Sequence, residues 1–331
     1  MYSPDLQDVT IEAKDITIDF RKKKTSIFGP RNYMRAVNGV SFQMRTGRCL
    51  AVVGESGCGK STVARSIAKI HAPSGGQILY KERDIQTFDG SKDLAQYRND
   101  VQMVFQDPFG SLNPLHTIRY HLTRPLKIYH GLEGKALEEK LCELLIQVGL
   151  NPPSEVLKKF PHQLSGGQRQ RVFLAKTLAI GANVVLADEP TSMLDVSIRI
   201  GVLNLMNEMK HDMKKSFMYI THDIATARYF AEDTMVLYCG HMVEWGDTEE
   251  ITQNPQHPYT QLLLAAVPDT SRSIHEKLPT HRSMETPMWT PEKVGCPYSA
   301  RCPNATQVCS EVLPETKEVA PNHFIRCHLF L

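Results

Sequence analysis

The chain has 331 residues, of which 41% are hydrophobic and 22% charged, and its formal net charge is +2. These values are ordinary for a globular protein with a sizeable core and room for more than one domain. The small net charge argues against a strongly electrostatic nucleic-acid binder. The longest apolar runs, 184–187 and 262–267, are too short to span a membrane, and the first ten residues lack a signal-peptide pattern. We therefore expect a cytosolic protein.

The segment before residue 47 has the alternation of β-strands. Apolar residues alternate over 9–20 with an interruption at 14–15, and strand character returns over 36–44. We predict strand pairs that bend at this interruption. Aromatic residues in strands mostly belong to the core, but three here are candidates to stack on an adenine ring: Phe20, Phe28 and Tyr33.

Residues 50–61, LAVVGESGCGKS, contain the phosphate-loop pattern G-x-x-x-x-G-K-S. An apolar strand ends at the first glycine and a helix-forming stretch follows, so backbone N–H groups and the positive helix end face one anion. Lys60 supplies positive charge for the β- and γ-phosphates, and Ser61 supplies a hydroxyl for Mg²⁺. A chance match in a glycine-rich turn lacks this context. The predicted nucleotide-binding residues are Gly54, Glu55, Ser56, Gly57, Cys58, Gly59, Lys60, Ser61 and Thr62.

The segment after residue 100 combines a short strand with a helical region. The apolar run 101–105 predicts a strand, and Gln106 at its end is placed to reach a metal ion or water, although a lone glutamine is more often a surface residue. Leucines at i, i+4, i+7 and i+8 from Leu137 predict an amphipathic helix over 135–148. We therefore predict a mainly helical insertion over 107–178 in an α/β core.

A second glycine-rich stretch, LSGGQ, also precedes a predicted helix, at 168–180. Its residues Ser165, Gly166, Gly167 and Gln168 form a helix N-terminus suited to an anion. On this stretch alone, an ordinary serine cap with a glycine turn is the favoured interpretation.

Acidic residues follow the next apolar strand, at 184–188. Asp188 is placed to hold Mg²⁺ through water, and Glu189 to orient or deprotonate the water that attacks the γ-phosphate. Such acids also serve as helix caps, but the phosphate loop earlier in the chain favours the catalytic role. A further strand at 217–220 is followed by His222, which can contact the γ-phosphate, although a lone histidine is more often structural.

Four of the eight cysteines crowd into the proline-rich last 36 residues: Cys296, Cys302, Cys309 and Cys327. In a reducing cytosol such a group indicates metal binding rather than disulfides. Four thiolates suit Zn²⁺ or an iron–sulfur cluster, although the short C-x₂₋₄-C spacing usual for structural zinc is absent. Thiols without a ligand are the third alternative.

Taken together, the motifs resemble those of the nucleotide-binding subunits of ABC transporters. The matching stretches stand in the family's order: GESGCGKS at 54–61, VFQDP at 104–108, LSGGQ at 164–168, VVLADEP at 184–190, SMLD at 192–195, and His222. The stretch QNPQHPYTQLLLAAVP at 253–268, followed by the cysteine-rich tail, resembles the dipeptide/oligopeptide/nickel branch. VGESGCGKST and QDPFGSLNP resemble its F-type ATPases.

The resemblance implies a P-loop NTPase core of the ABC ATPase type, with an N-terminal antiparallel β region, a helical insertion and a small cysteine-rich C-terminal domain. We predict the core at 1–106 and 179–254, the insertion at 107–178, and the extension at 255–331. Catalytic roles are implied for Glu189, His222, Lys60 and Gln106. Ser61, Gln106 and Asp188 would hold Mg²⁺, Ser165–Gln168 would cap the partner's ATP, and Phe20 is our choice for the adenine.

The resemblance also implies partners. They are a second, D-type ATPase, two transmembrane permeases docked near residues 109–125, and an extracytoplasmic substrate-binding protein, which places the chain peripherally on the cytoplasmic face of the membrane. The implied function is ATP-driven import of di- or oligopeptides, with nickel or oligosaccharide as alternative cargoes. In this branch the tail carries a [4Fe–4S] cluster, which we favour over Zn²⁺. A soluble ABC ATPase of DNA repair or translation, and a non-catalytic interaction subunit, are the competing classes.

Overall fold

The structure is a computed structural model that describes residues 9–22, 32–105, 112–266 and 288–331. The chain divides into two compact units. Unit 1 comprises 1–45, 49–87 and 219–331, and unit 2 comprises 46–48 and 88–218. Across the described ranges, no helix has both the length and the hydropathy to cross a membrane.

Twelve strands lie in the described residues: β1 (Val9–Arg21), β2 (Tyr33–Arg45), β3 (Cys49–Val53), β4 (Gly75–Tyr80), β5 (Arg83–Asp84), β6 (Val101–Val104), β7 (Val184–Asp188), β8 (Ser216–Thr221), β9 (Asp233–Tyr238), β10 (His241–Asp247), β11 (Lys317–Ala320) and β12 (His323–Ile325). The α-helices of the same ranges are α1 (Lys60–Ile67), α2 (Ser91–Asp100), α3 (Ile118–His130), α4 (Gly134–Gln147), α5 (Pro153–Val156), α6 (Gly166–Ile180), α7 (Val196–His211), α8 (Ile224–Phe230), α9 (Thr248–Gln253), α10 (Pro258–Ala265) and α11 (Gln307–Glu311). Single 3₁₀ turns lie at Ile85–Thr87, Pro161–Gln163 and His328–Phe330.

An antiparallel sheet of order β2-β1-β4-β5 covers the N-terminal part of unit 1. The predicted bend at 14–15 is a bulge within one continuous strand, because the register with β2 shifts between Ala13 and Ile16 and Asp15 has a φ of 48°. The bulge keeps Ala13 and Ile16 both buried although they are three positions apart. The N-terminal antiparallel β region is therefore confirmed.

The strands of a second sheet that lie in unit 1 position the phosphate loop. In it β3 pairs in parallel with β9, β9 pairs with β10, β10 with β12, and β12 with β11. All five residues of β3 are buried, as expected for the continuous apolar run CLAVV in a central parallel strand. The loop at 54–59 therefore begins at the carboxyl end of a buried strand, where α/β folds bind ligands.

The C-terminal tail shares the core of unit 1. Strands β11 and β12 extend the sheet through β10, and Tyr298 and Cys302 pack in one cluster with Tyr238, Val243 and Tyr259. Burial of these side chains supplies the apolar core that the proline-rich tail does not contain by itself.

Unit 2 contains a parallel pair, β6 with β7, and a group of helices in which α3, α4 and α6 pack against one another. The apolar face predicted for α4 is buried, with Leu137 and Leu141 among its members. Helix α3 is capped by Thr117, whose hydroxyl accepts a hydrogen bond from the N–H of Tyr120. Helices α3 and α4 lie within the predicted insertion at 107–178, and α6 ends two residues beyond it, at Ile180. The limits of the insertion stay a prediction.

Candidate functional site

The phosphate loop closes tightly between β3 and α1. Gly54 has a φ of 156° and Gly59 a φ of 107°. A Cβ atom at Gly54 would lie 2.2 Å from the carbonyl oxygen of Leu237, and one at Gly59 would lie 2.4 Å from that of Ala36. Only glycine fits at these two positions. Gly59 is also the N-cap of α1, and no side chain caps this helix, so its first turn presents backbone N–H groups to an anion.

Lys60, the first residue of α1, is held by the loop itself. Its Nζ donates to the carbonyl oxygens of Gly54 at 2.6 Å and Glu55 at 2.8 Å, with a long contact of 3.9 Å to Cys58 Sγ. The side chain is buried, at 5% exposure. An ammonium has three donors, so the two strong bonds aim the charge and leave capacity for a phosphate oxygen. Burial raises the pKa of Cys58, so its thiol stays neutral and does not repel an anion.

Two side chains from the C-terminal region hold the outer side of this loop, and the sequence analysis missed both. The N–H of Glu55 donates to the hydroxyl oxygen of Tyr259 at 2.8 Å. The Glu55 carboxylate accepts two hydrogen bonds from Arg301, at 2.7 and 2.9 Å. Tyr259 lies in the HPYT stretch that carried the family resemblance. No local sequence signal links residue 55 to residue 301.

The structure describes two of the three aromatic residues that are candidates to stack on adenine. Phe20 is half-buried on β1, and its ring meets that of His71 edge-on, with centroids 5.1 Å apart. Tyr33 begins β2 opposite Arg21. Phe28 lies outside the described residues, as does Gln106. The assignment of Phe20 stays a prediction.

The acidic pair at the end of β7 belongs to unit 2. Asp188 is buried, at 5% exposure, whereas Glu189 has a left-handed backbone with a φ of 47°. Ser192 donates to the carbonyl oxygen of Glu189 from its N–H at 3.3 Å and its hydroxyl at 3.0 Å. A left-handed glutamate is strained, and such strain concentrates at functional sites.

The stretch LSGGQ in unit 2 forms a complete capping box at the start of α6. Ser165 Oγ accepts from the N–H of Gln168 at 3.3 Å, and Gln168 Oε1 accepts from the N–H of Ser165 at 3.1 Å. A Cβ at Gly167 would lie 2.2 Å from Cγ2 of Ile198. Ser165 is nevertheless exposed, so the cap interpretation and a role toward a partner are compatible.

His222 is exposed at the end of β8, in unit 1. The next residue, Asp223, caps α8 by accepting from the N–H groups of Ala225 and Thr226. Unit 1 thus carries the phosphate loop, Phe20 and His222, and unit 2 carries Asp188, Glu189 and Ser165–Gln168. The roles of these residues stay predictions.

The four tail cysteines are neighbours. The N–H of Cys296 donates to the carbonyl oxygen of Cys309 at 2.6 Å. Burial raises the pKa of Cys296 to about 12, and the charges of Cys309, Cys327 and Cys302 add to this rise. Yet in the described part of the chain no three His, Cys, Asp or Glu side chains converge as the ligands of one metal ion do.

Comparisons with known proteins agree with this geometry. The family described as ABC transporter matches residues 37–192, and the family described as oligopeptide/dipeptide transporter, C-terminal region, matches 243–309. The chain is 39% identical over 327 residues to the oligopeptide transport ATP-binding protein AppF of Bacillus subtilis, covering 98% of both chains. It is 38% identical to the dipeptide transport ATP-binding protein DppF of Escherichia coli, covering 95% of this chain and 92% of the relative.

A solved structure supports the same class. The dimeric ATP-binding cassette MJ0796 in a post-hydrolysis state with ADP and Pi superposes with a TM-score of 0.62 at 28% identity, over 72% of this chain and 98% of that one. The fold and the phosphate loop define an ABC-type ATPase. The chain belongs to the ABC transporter family, in the branch of oligopeptide and dipeptide transport ATP-binding proteins. It is accordingly an ATP-hydrolysing transporter subunit that uses ATP and Mg²⁺.

Proposed function

We propose that this subunit powers the import of di- and oligopeptides through a membrane complex. The observation that carries the proposal is similarity over nearly the whole chain, at 39% identity, to a protein named for oligopeptide transport. The C-terminal region also supports it, because residues 243–309 match the family described as oligopeptide/dipeptide transporter, C-terminal region. The cargo itself does not touch this chain.

Within the proposed site, each residue has a task that follows from its chemistry. The phosphate loop and Lys60 bind the phosphates, and the ring of Phe20 stacks on the adenine. The oxygens of Ser61, Gln106 and Asp188 are the hard ligands that suit Mg²⁺. Glu189 orients and deprotonates the attacking water, and His222 contacts the γ-phosphate.

The exposed Ser165 supports a shared site, in which the stretch 165–168 caps ATP on a second chain. We propose a D-type ATPase as that second chain, with ATP joining the two chains because it contacts both only in the closed state. Ser165→Arg should leave ATP affinity of this chain unchanged while it blocks turnover at the site it caps. Loss of binding in the isolated variant would contradict the shared site.

We further propose that two permeases hold the subunit at the cytoplasmic face of the membrane, with a substrate-binding protein on the other side. The predicted docking segment 109–125 includes Leu115, which is 80% exposed, and Tyr120, which is 40% exposed. Exposed apolar side chains of this size are typical of interaction surfaces.

Peptide import is testable in proteoliposomes that contain this chain with the proposed permeases, second ATPase and binding protein. ATP should drive uptake of labelled di- and tetrapeptides, and a complex with Lys60→Ala should give none. Uptake of nickel or of an oligosaccharide without peptide uptake would show that this solute, and not a peptide, is the cargo. Failure of the chain to assemble with permeases would contradict the transport function.

For the tail we propose a [4Fe–4S] cluster on Cys296, Cys302, Cys309 and Cys327. The proposal rests on the resemblance of the tail to the dipeptide/oligopeptide/nickel branch and on the proximity of the four thiols, since four thiolates are the ligands that such a cluster takes. Bound there, it would tie separate points of the tail together. Protein purified without oxygen should contain iron and sulfide, Cys309→Ser should lose them, and Cys142→Ser, in α4, should keep them. A colourless, iron-free protein would contradict the cluster.

A further inference from the structure

The ion pair between Arg301 and Glu55 joins the C-terminal tail to the phosphate loop. The two terminal nitrogens of Arg301, Nη1 and Nη2, donate to the Glu55 carboxylate. The Arg301 side chain is 8% exposed and that of Glu55 30% exposed. Two parallel bonds of this kind fix direction as well as distance.

A cage of aromatic rings fixes the guanidinium in turn. Arg301 Nη1 also lies 3.3 Å from the Tyr238 hydroxyl, and the guanidinium lies 5.6 Å from the ring centre of Tyr238 and 5.8 Å from that of Tyr298. These distances are those of cation–π contacts. Tyr238 packs edge-on against Tyr259, with ring centroids 4.7 Å apart. Arg301 and Tyr259 therefore form one packed group.

This group connects directly to the phosphate-binding lysine. The N–H of Glu55 donates to the Tyr259 hydroxyl, and the Glu55 carboxylate accepts from Arg301. The carbonyl oxygen of Glu55 accepts from Lys60 Nζ. Glu55 is thus held at its N–H, its side chain and its carbonyl group. A shift of Glu55 would move an acceptor that aims the ammonium, and misplaced groups in a phosphate site lose binding energy.

We propose that Tyr259 and Arg301 are positioning residues for the phosphate loop, through which the C-terminal region sets the affinity of this chain for ATP. The proposal rests on the proposed role of the loop in binding phosphates. The alternative is that the same contacts only anchor the tail. The tail has other anchors, however, because β12 pairs with β10 and buried His323 lies 2.7 Å from buried Glu244.

The test measures the affinity of the full-length chain for fluorescent Mg²⁺–ATP together with its melting temperature. Tyr259→Phe keeps the ring and removes the oxygen that accepts from Glu55, so we expect about fivefold weaker binding for the loss of one hydrogen bond. Arg301→Lys keeps the charge and loses the paired geometry, so a loss of similar size is expected. Neither variant should move the melting temperature by more than the control does.

The matched control is Arg228→Lys. Arg228 makes the same kind of paired contact with Glu249, at 3.0 and 2.6 Å, on the surface of unit 1. It does not touch the phosphate loop, and ATP affinity should stay at the wild-type value. Glu55→Gln combined with Arg301→Lys should be no worse than the more affected single variant, because both act on one contact.

Two kinds of failure are distinguishable. If Lys60→Ala binds ATP as tightly as the wild type, the proposed role of the loop fails and this inference fails with it. If Lys60→Ala weakens ATP binding but Tyr259→Phe and Arg301→Lys bind like the wild type, only the positioning role is overturned. A lowered melting temperature with unchanged affinity would assign both residues to tail anchorage alone.

Discussion

Two glycine-rich stretches of this chain each begin a helix, and they satisfy the helix ends in opposite ways. Helix α1, after the phosphate loop, has Gly59 as its N-cap and no capping side chain. Helix α6, after LSGGQ, is closed by the reciprocal bonds of Ser165 and Gln168. We propose that the first binds an anion within its own chain, whereas the second closes its own helix end through the capping box.

The surroundings of the two helix starts also differ. Lys60 is buried among loop carbonyls, and Glu55 is held by Tyr259 and Arg301. Ser165 is exposed. A site that holds a ligand alone needs such preorganisation, because ordering the loop at binding costs affinity. The stretch at 165–168, by contrast, is ordered by its own capping box and leaves Ser165 exposed.

The largest expected effect concerns ATP hydrolysis itself and not ATP binding by either glycine-rich stretch. Glu189→Gln keeps the size of the side chain but removes the base, so hydrolysis should fall about a thousandfold, as for loss of a general base. ATP binding should persist. Phosphate release and ATP affinity measured on the assembled transporter check this, with the exposed Glu208→Gln on α7 as control. Normal turnover would remove Glu189 from its proposed role.

The next effect tests how tightly the phosphate loop is closed. Gly54→Ala places a Cβ against the backbone oxygen of Leu237, so we expect about 3 kcal/mol or more of lost stability from overpacking and strain. Gly57 has a φ of 80° but nothing within 4 Å of its would-be Cβ, so Gly57→Ala should cost only about 1–2 kcal/mol. Urea unfolding compares the two. Equal losses would show that backbone strain, and not closure against Leu237, decides the cost.

A smaller effect concerns the charge in the phosphate loop. Lys60→Ala removes a charge-assisted hydrogen bond to phosphate, so ATP affinity should fall about 10- to 100-fold. Lys69→Ala, which removes a bond to the Ile85 carbonyl oxygen, should leave affinity unchanged. Equilibrium titration with Mg²⁺–ATP measures both. Similar losses in the two variants would mean that general charge, and not the loop geometry, binds the nucleotide.

The smallest effect concerns the self-capped helix. Ser165→Ala removes an N-cap, which should lower stability by about 1 kcal/mol. ATP affinity of the isolated chain should not change, because the capping box belongs to α6. Thermal unfolding and ATP titration separate the two quantities. A drop in affinity of the isolated chain would contradict the contrast between the two helix starts.

Sequence reasoning succeeded where the determinants are local. The order of strand, loop and helix at 50–67 and the buried face of α4 both follow from spacing within one or two turns. The serine cap at 165 was recognised for the same reason, and the structure adds only its partner, Gln168.

It failed where the determinants are distant in the chain. No pattern near Glu55 indicates that it contacts Tyr259 and Arg301, which lie 204 and 246 residues further along the chain. The bulge in β1 was also missed, because a break in alternation does not distinguish a turn from one extra residue in a paired strand. Both errors arise from tertiary pairing, which a single sequence does not display.

The separation of Glu55 and Arg301 along the chain has a consequence for the synthesis of the protein. A ribosome adds the 246 residues that separate them at about 5–20 residues per second, so the loop emerges roughly 12–50 s before its holding arginine. During that interval the nascent chain carries a phosphate loop without the ion pair. Messages truncated ahead of residue 301 therefore yield chains that never acquire it, however complete their ATPase motifs.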